Sequence, residues 1–171
     1  IIINWSIGWF WDSTKVTTVT FEEFSYNGNV LSGELEMRFL EGGLTGTVKP
    51  THEIVEKNMS LTLADSLGTT TWEGTRTIVW TEGATTFLDQ SDDIRTIEIY
   101  KDGVNRNGEE YVAEGSGLVF NSTCSGGTKI TQGILTITKN DGSVISVNFG
   151  DGTCDNSYTI TQNGITVTIN D

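Results

Sequence analysis

Three pairs of adjacent acids, Glu22-Glu23, Asp92-Asp93 and Glu109-Glu110, are the first residues in this 171-residue chain that could do chemistry. Glycoside hydrolysis needs two carboxyls facing each other across about 5 to 10 Å. Neighbours on a strand point to opposite faces, so none of these pairs can act alone, and all three read as solvated surface acids. His52 is the single histidine. It leaves no zinc cluster of several imidazoles and no Ser-His-Asp scheme, unless a lysine or water replaces the base. Next to Pro50 and Thr51 it is expected in an exposed turn. With no catalytic constellation, the chain is expected not to be an enzyme and to use no cofactor.

Two other stretches carry ligand-type residues. In "FGDGTCDN", Asp151, Asp155 and Asn156 supply the oxygen ligands of a calcium site. The stretch lacks the spacing and distal bidentate Glu of an EF-hand loop, so a turn pinned by Cys154 is the favoured reading and no metal is expected. Cys124 and Cys154, the only cysteines, sit in Gly/Ser/Thr/Asp-rich turns. They read as a disulfide closing a loop of about 31 residues and contributing roughly 3 to 4 kcal/mol, with two free thiols as the alternative. A bond would place the chain in an oxidising, extracytoplasmic compartment. Among the five tryptophans, Trp9, Trp11, Trp72 and Trp80 could stack on sugar rings, although core or interface packing is the commoner use of such side chains.

These residues must be positioned by strands. Twenty glycines stand against one proline, and Thr, Val and Ile recur in short alternating runs. That pattern predicts an all-β protein, an antiparallel β-sandwich of about a dozen short strands in one domain over 1–171, with a closed barrel as the second choice. In "KVTTVTFEEFSY" the alternation slips phase, which predicts a bulge at Glu22-Glu23. "NGN" at 27 to 29, "NDG" at 140 to 142 and "NG" at 163 to 164 predict hairpins. "ATTFLDQSDDI" is the only stretch expected to form a helical turn. A formal net charge of -13 repels phosphate backbones and anionic lipid, so nucleic acid and a membrane surface are disfavoured partners. No apolar run is long enough to cross a membrane as a helix, so no direct membrane insertion is expected.

The opening "IIINWSIGWFW" has no Met or basic leader, so the chain is expected to be a processed product. Ile1, Ile2, Ile3 and Trp5 read as an apolar strand that must complete a sheet, either beside "ITVTIND" in its own subunit or in the next subunit.

Several stretches together resemble a family. "TWEGTRTIVWTEG", "GVNRNGEEY", "GTKITQGILTIT" and above all "VNFGDGTCDNSYTITQNGITVTI" are similar to uncharacterised secreted, often lipid-anchored β-proteins of the Bacteroidota. The resemblance implies a surface or extracellular protein with Cys124 and Cys154 bonded, released by a trypsin-like cleavage ahead of Ile1. Bacteroidota pilins that lose an N-terminal strand and polymerise by strand exchange offer an analogy of processing. The resemblance also makes "DST" and "DSL" look like O-glycosylation motifs at Ser13 and Ser66, while the sequons at Asn4, Asn58 and Asn121 read as incidental in a bacterial protein. The expected function is therefore a non-enzymatic extracellular fibre subunit whose partners are copies of itself. The alternative is a monomeric surface module holding glycan through exposed tryptophans.

Overall fold

A computed structural model describes residues 2–5, 12–64, 67–86, 88–125 and 129–170. Among the described residues eleven strands run in chain order: β1 (Ile2–Trp5), β2 (Val16–Tyr26), β3 (Asn29–Glu41), β4 (Thr51–Thr62), β5 (Thr69–Glu82), β6 (Ile94–Val104), β7 (Glu110–Asn121), β8 (Ile130–Lys139), β9 (Val144–Asp151), β10 (Ser157–Gln162) and β11 (Ile165–Asn170). They form one sheet in that same order, each strand antiparallel to the one before it. The chain is all-β. In place of the expected sandwich of two packed sheets there is a single open meander whose edges are β1 and β11. Every connection, long or short, joins a strand to the antiparallel neighbour beside it, so no strand crosses into a second sheet.

Local chemistry accounts for the turns. At the tip of β2 and β3, Asn27 and Gly28 both take positive φ (50° and 79°), as do Asn163 and Gly164 (52° and 76°) between β10 and β11. Two such residues make the mirror-image turn that suits the twist of paired strands. The bulge expected at Glu22-Glu23 is present: Phe21 pairs with Gly33 but Phe24 with Leu31, and Glu23 takes φ 49°. It returns Phe24 and Tyr26 to the face that Phe21 occupies. The stretch between Trp80 and Ile94 contains two short 3-10 turns, Ala84–Thr86 and Gln90–Asp92.

Register separates two faces. One row crosses nine strands through Met37, Ile54, Arg76, Ile99, Gly115, Leu135, Val147, Ile160 and Val167. The row beside it runs through Leu35, Glu56, Gly74, Lys101, Ala113, Ile137 and Ile145. The opposite face carries Thr18, Glu36, Val55, Thr75, Tyr100, Glu114, Thr136, Ser146, Thr161 and Thr166. The sheet is thus mainly apolar on one side and mainly polar on the other, as period-2 alternation demands. The disulfide-bonded Cys124 is buried in the connection after β7, while within the strands the buried apolar side chains, Met59, Trp80, Ala113 and Leu118, lie in β4, β5 and β7. There the apolar face holds its core, and there it also holds its buried charges.

Candidate functional site

The candidate site is built around Glu56, in the middle of β4 and 2% exposed. Its neighbour across β5 is Gly74, whose own neighbour on β6 is Lys101. Two strand spacings, about 9 to 10 Å, separate β4 from β6. The missing side chain at Gly74 leaves the lane between them open, and the Lys101 ammonium reaches Glu56 Oε2 at 2.8 Å. A Cβ at Gly74 would stand 2.5 Å from the Tyr100 carbonyl oxygen and 2.7 Å from Lys101 Cγ. Trp72 and Arg76 lie two residues to either side of Gly74, hence on the same face. The Trp72 indole N–H donates to Glu56 Oε2 and the Arg76 guanidinium pairs with Oε1. Lys101 also sits 5.4 Å from the centre of the Trp72 ring, so each member braces another.

A second buried carboxylate repeats this arrangement at the far end of β5. Asp93 is 0% exposed and stands just ahead of β6. Trp80 donates its indole N–H to Asp93 Oδ1 at 2.9 Å, and Arg95 pairs with Oδ2 while its guanidinium stacks 4.9 Å from the Trp80 ring centre. The Asp93 carbonyl accepts from the Ser122 amide and hydroxyl at 2.9 and 2.8 Å. Gly83 is required beside it: its φ is +81°, and a Cβ there would meet Asp93 Oδ1 at 2.5 Å.

Buried carboxylates of this kind are costly unless both oxygens are paired. At Glu56 burial pushes the carboxyl pKa up. The Lys101 hydrogen bond, the Arg76 and Lys101 charges and the Trp72 N–H outweigh it, leaving the group below its ordinary range. A general acid requires the opposite shift, a carboxyl held protonated near neutral pH. Glu56 is held ionised at neutral pH and ties β4, β5 and β6 together.

The other sequence-expected residues fall in separate places. Cys124 and Cys154 form a disulfide, Cα to Cα 5.4 Å, tying the β7–β8 connection to the β9–β10 connection. In that second connection Asp151 accepts from the Thr153 amide and hydroxyl at 3.2 and 3.0 Å, and Asp155 accepts from the Ser157 amide at 3.0 Å. Asn156 donates to the Ser125 carbonyl at 3.4 Å. Among the described residues no group of three His, Cys, Asp or Glu side chains is placed to hold a metal ion. Ser13 is in an exposed turn closed by Asp12. Ile1, Trp9, Trp11 and Ser66 lie outside the described residues. Ile2, Ile3 and Trp5 belong to β1, which pairs with Thr17–Thr20 of β2 in the same chain and not with the C-terminal strand.

Three readings need correction. His52 is not in an exposed turn: it lies within β4, 5% exposed, with its ring 5.4 Å from Phe39. Asp93 is not a surface acid; only its neighbour Asp92 is exposed, accepting from the Thr86 hydroxyl at 2.7 Å. Trp80 does not present a flat ring to a sugar, because it is 6% exposed; Trp72 is half-buried, and both indole N–H groups donate to buried carboxylates. By contrast Glu22 and Glu23 are exposed in their bulge as expected. Sequence reasoning missed Glu56 altogether. The available signal was its position, in phase with Ile54 and His52 on the apolar face of β4, opposite the alternating Trp72, Gly74 and Arg76. Compared with known proteins, the chain matches no family model, no curated protein and no solved structure.

Proposed function

We propose that this chain is a non-enzymatic structural protein of the extracellular or cell-surface space. In this reading it is a fibre subunit in which copies join by β-strand addition. The observation that carries this reading is the open edge at β11. Edge strands are normally blunted by charge, proline, a bulge or a covering element. From Ser157 to Asn170 there is no Asp, Glu, Lys, Arg or Pro, and β11 pairs with β10 in unbroken register along its whole length. At the other edge, among the described residues, β1 spans four residues and pairs with Thr17–Thr20, while β2 continues to Tyr26. Adding β11 of one copy to that edge satisfies main-chain groups on both. A contact between two different edges is heterologous and does not close, so it grows into a filament.

The disulfide supports the extracellular setting, and so does the resemblance of the C-terminal stretches to secreted Bacteroidota β-proteins. Electron microscopy of the purified chain is expected to show filaments of fixed repeat. Excess synthetic peptide with the sequence of 165–170 should shorten them by capping the β1–β2 edge. A solution that holds only single or paired chains at all concentrations would overturn the fibre reading.

A further inference from the structure

We propose that the apolar face of β8–β11 is covered by the same face of a second copy, making across two chains the two-layer packing that one chain lacks. This does not rest on strand addition, which uses the edges of the sheet and not its face. The first observation is area. A compact monomer of this mass exposes about 8,300 Å², whereas this chain exposes 10089 Å². The excess, about 1,800 Å², is roughly twice what one partner buries in a standard interface and falls in the range of an obligate homodimer.

The second observation is where that surface is apolar and uncharged. Leu135, Val147, Ile160 and Val167 stand in one row across four strands. The first three are half-buried between their lateral neighbours, and Val167 and the adjacent Ile165 are 53% and 69% exposed. Among the described residues, the main contacts of each of these strands are with its neighbours in the sheet.

Charge selects the occupant. Copies of a chain carrying a formal charge of -13 repel one another, so self-association needs a patch free of like charges. Carboxylates crowd the polar face of β3–β7, at Glu36, Glu73, Asp102 and Glu114. The apolar row in β8–β11 has none. A two-fold axis through this row sets β-branched and leucine side chains against their own copies, at the sheet separation of about 10 Å that such side chains fill.

The test is sedimentation of the intact chain beside two single variants on one edge strand. Val167→Glu puts a carboxylate on the apolar face, and Thr168→Glu puts the same charge on the opposite face of β11. The native chain and Thr168→Glu are expected to contain a two-chain unit at micromolar concentration. Val167→Glu should raise its dissociation constant at least 100-fold while the far-ultraviolet circular dichroism stays that of a sheet. Ile165→Lys is the second variant, with the same expectation, should Val167→Glu fail to fold. A native chain that stays single at 100 µM overturns the proposal, leaving the face to a different protein. Equal weakening by Val167→Glu and Thr168→Glu also overturns it, because that result marks an edge contact. If assembly stops at two copies and only the apolar-face variants break it, the face pairing stands and the fibre reading falls.

Discussion

The middle of the sheet and its C-terminal wing are built from the same antiparallel hairpins yet are held together differently. In β3–β6 the strands are cross-linked by charge on both faces. Glu56 and Asp93 are buried among Arg76, Lys101 and Arg95 on the apolar side. On the polar side Lys57 reaches Glu36 at 2.6 Å and Arg38 reaches the same carboxylate at 2.8 Å. In β9–β11 a single carboxylate, Asp151, closes β9, and the side-chain link between β10 and β11 is a hydroxyl pair, Thr161 to Thr166 at 2.8 Å. A charged cluster satisfies itself and specifies one register, because a slip by one residue would strand an ion on the wrong face. A neutral, apolar ladder has weaker demands, and any surface of similar character can complete it. The first design makes a self-sufficient body, and the second leaves the surface that the proposed pairing of copies would cover.

The largest expected effect tests the body. Glu56→Ala leaves two cations facing each other on the apolar face without their counter-ion. Breaking a buried pair in this way costs about 3 to 5 kcal/mol, and a urea midpoint should fall accordingly. A loss below 1 kcal/mol would mean that the cluster is incidental and the two regions are alike.

Acid should act in the same place with a smaller effect. Because the folded carboxyl of Glu56 lies below its ordinary value of 4.5, the stability it contributes is fully present above about pH 4.5 and is lost as pH falls through the folded pKa. Glu36 and Glu109 are also held low, the first by hydrogen bonds from Lys57 and Arg38 and the second by those from Asn105 and Lys139. The native chain should therefore lose stability steadily in acid, and Glu56→Gln should follow a shallower curve. Identical curves for the two would remove Glu56 from the account. Hydrogen exchange sharpens the contrast: amides of β5 should lose protection on acidification well before those of β11.

The smallest expected effect lies in the wing. Gly164 takes φ +76° with nothing within 4 Å of an added Cβ, so Gly164→Ala carries only the conformational penalty, about 1 kcal/mol. A cost as large as that of Glu56→Ala would show that the wing is anchored after all.

Much of this architecture was legible in the chain. The slip of phase at Glu22-Glu23 announced its bulge, the Asn-Gly pairs announced their turns, and the cysteines in two loops announced their bond. Each is a local property: a turn that needs two positive φ values needs Asn and Gly, and an extra residue must flip the pleat. Glu56 and Asp93 were not legible in the same way. An acid reads as a surface residue until its partners are known: those of Glu56 stand 16 to 45 residues away in Trp72, Arg76 and Lys101, and Asp93 is sealed by the Trp80 indole 13 residues back together with its near neighbour Arg95. His52 was misread for the same reason, because its neighbours in sequence suggest a turn while its neighbour in space is Phe39.

The sequence by itself determined the strands, their turns, which residues share a face and that the last two strands carry no charge, because these follow from backbone conformation and a period of two. Only the tertiary structure decided that all eleven strands join one open layer and that two carboxylates are sealed within it. Alternation states that one face of a strand is apolar and leaves open what covers that face; that depends on which strands meet, and on side chains reaching across the space that Gly74 leaves empty.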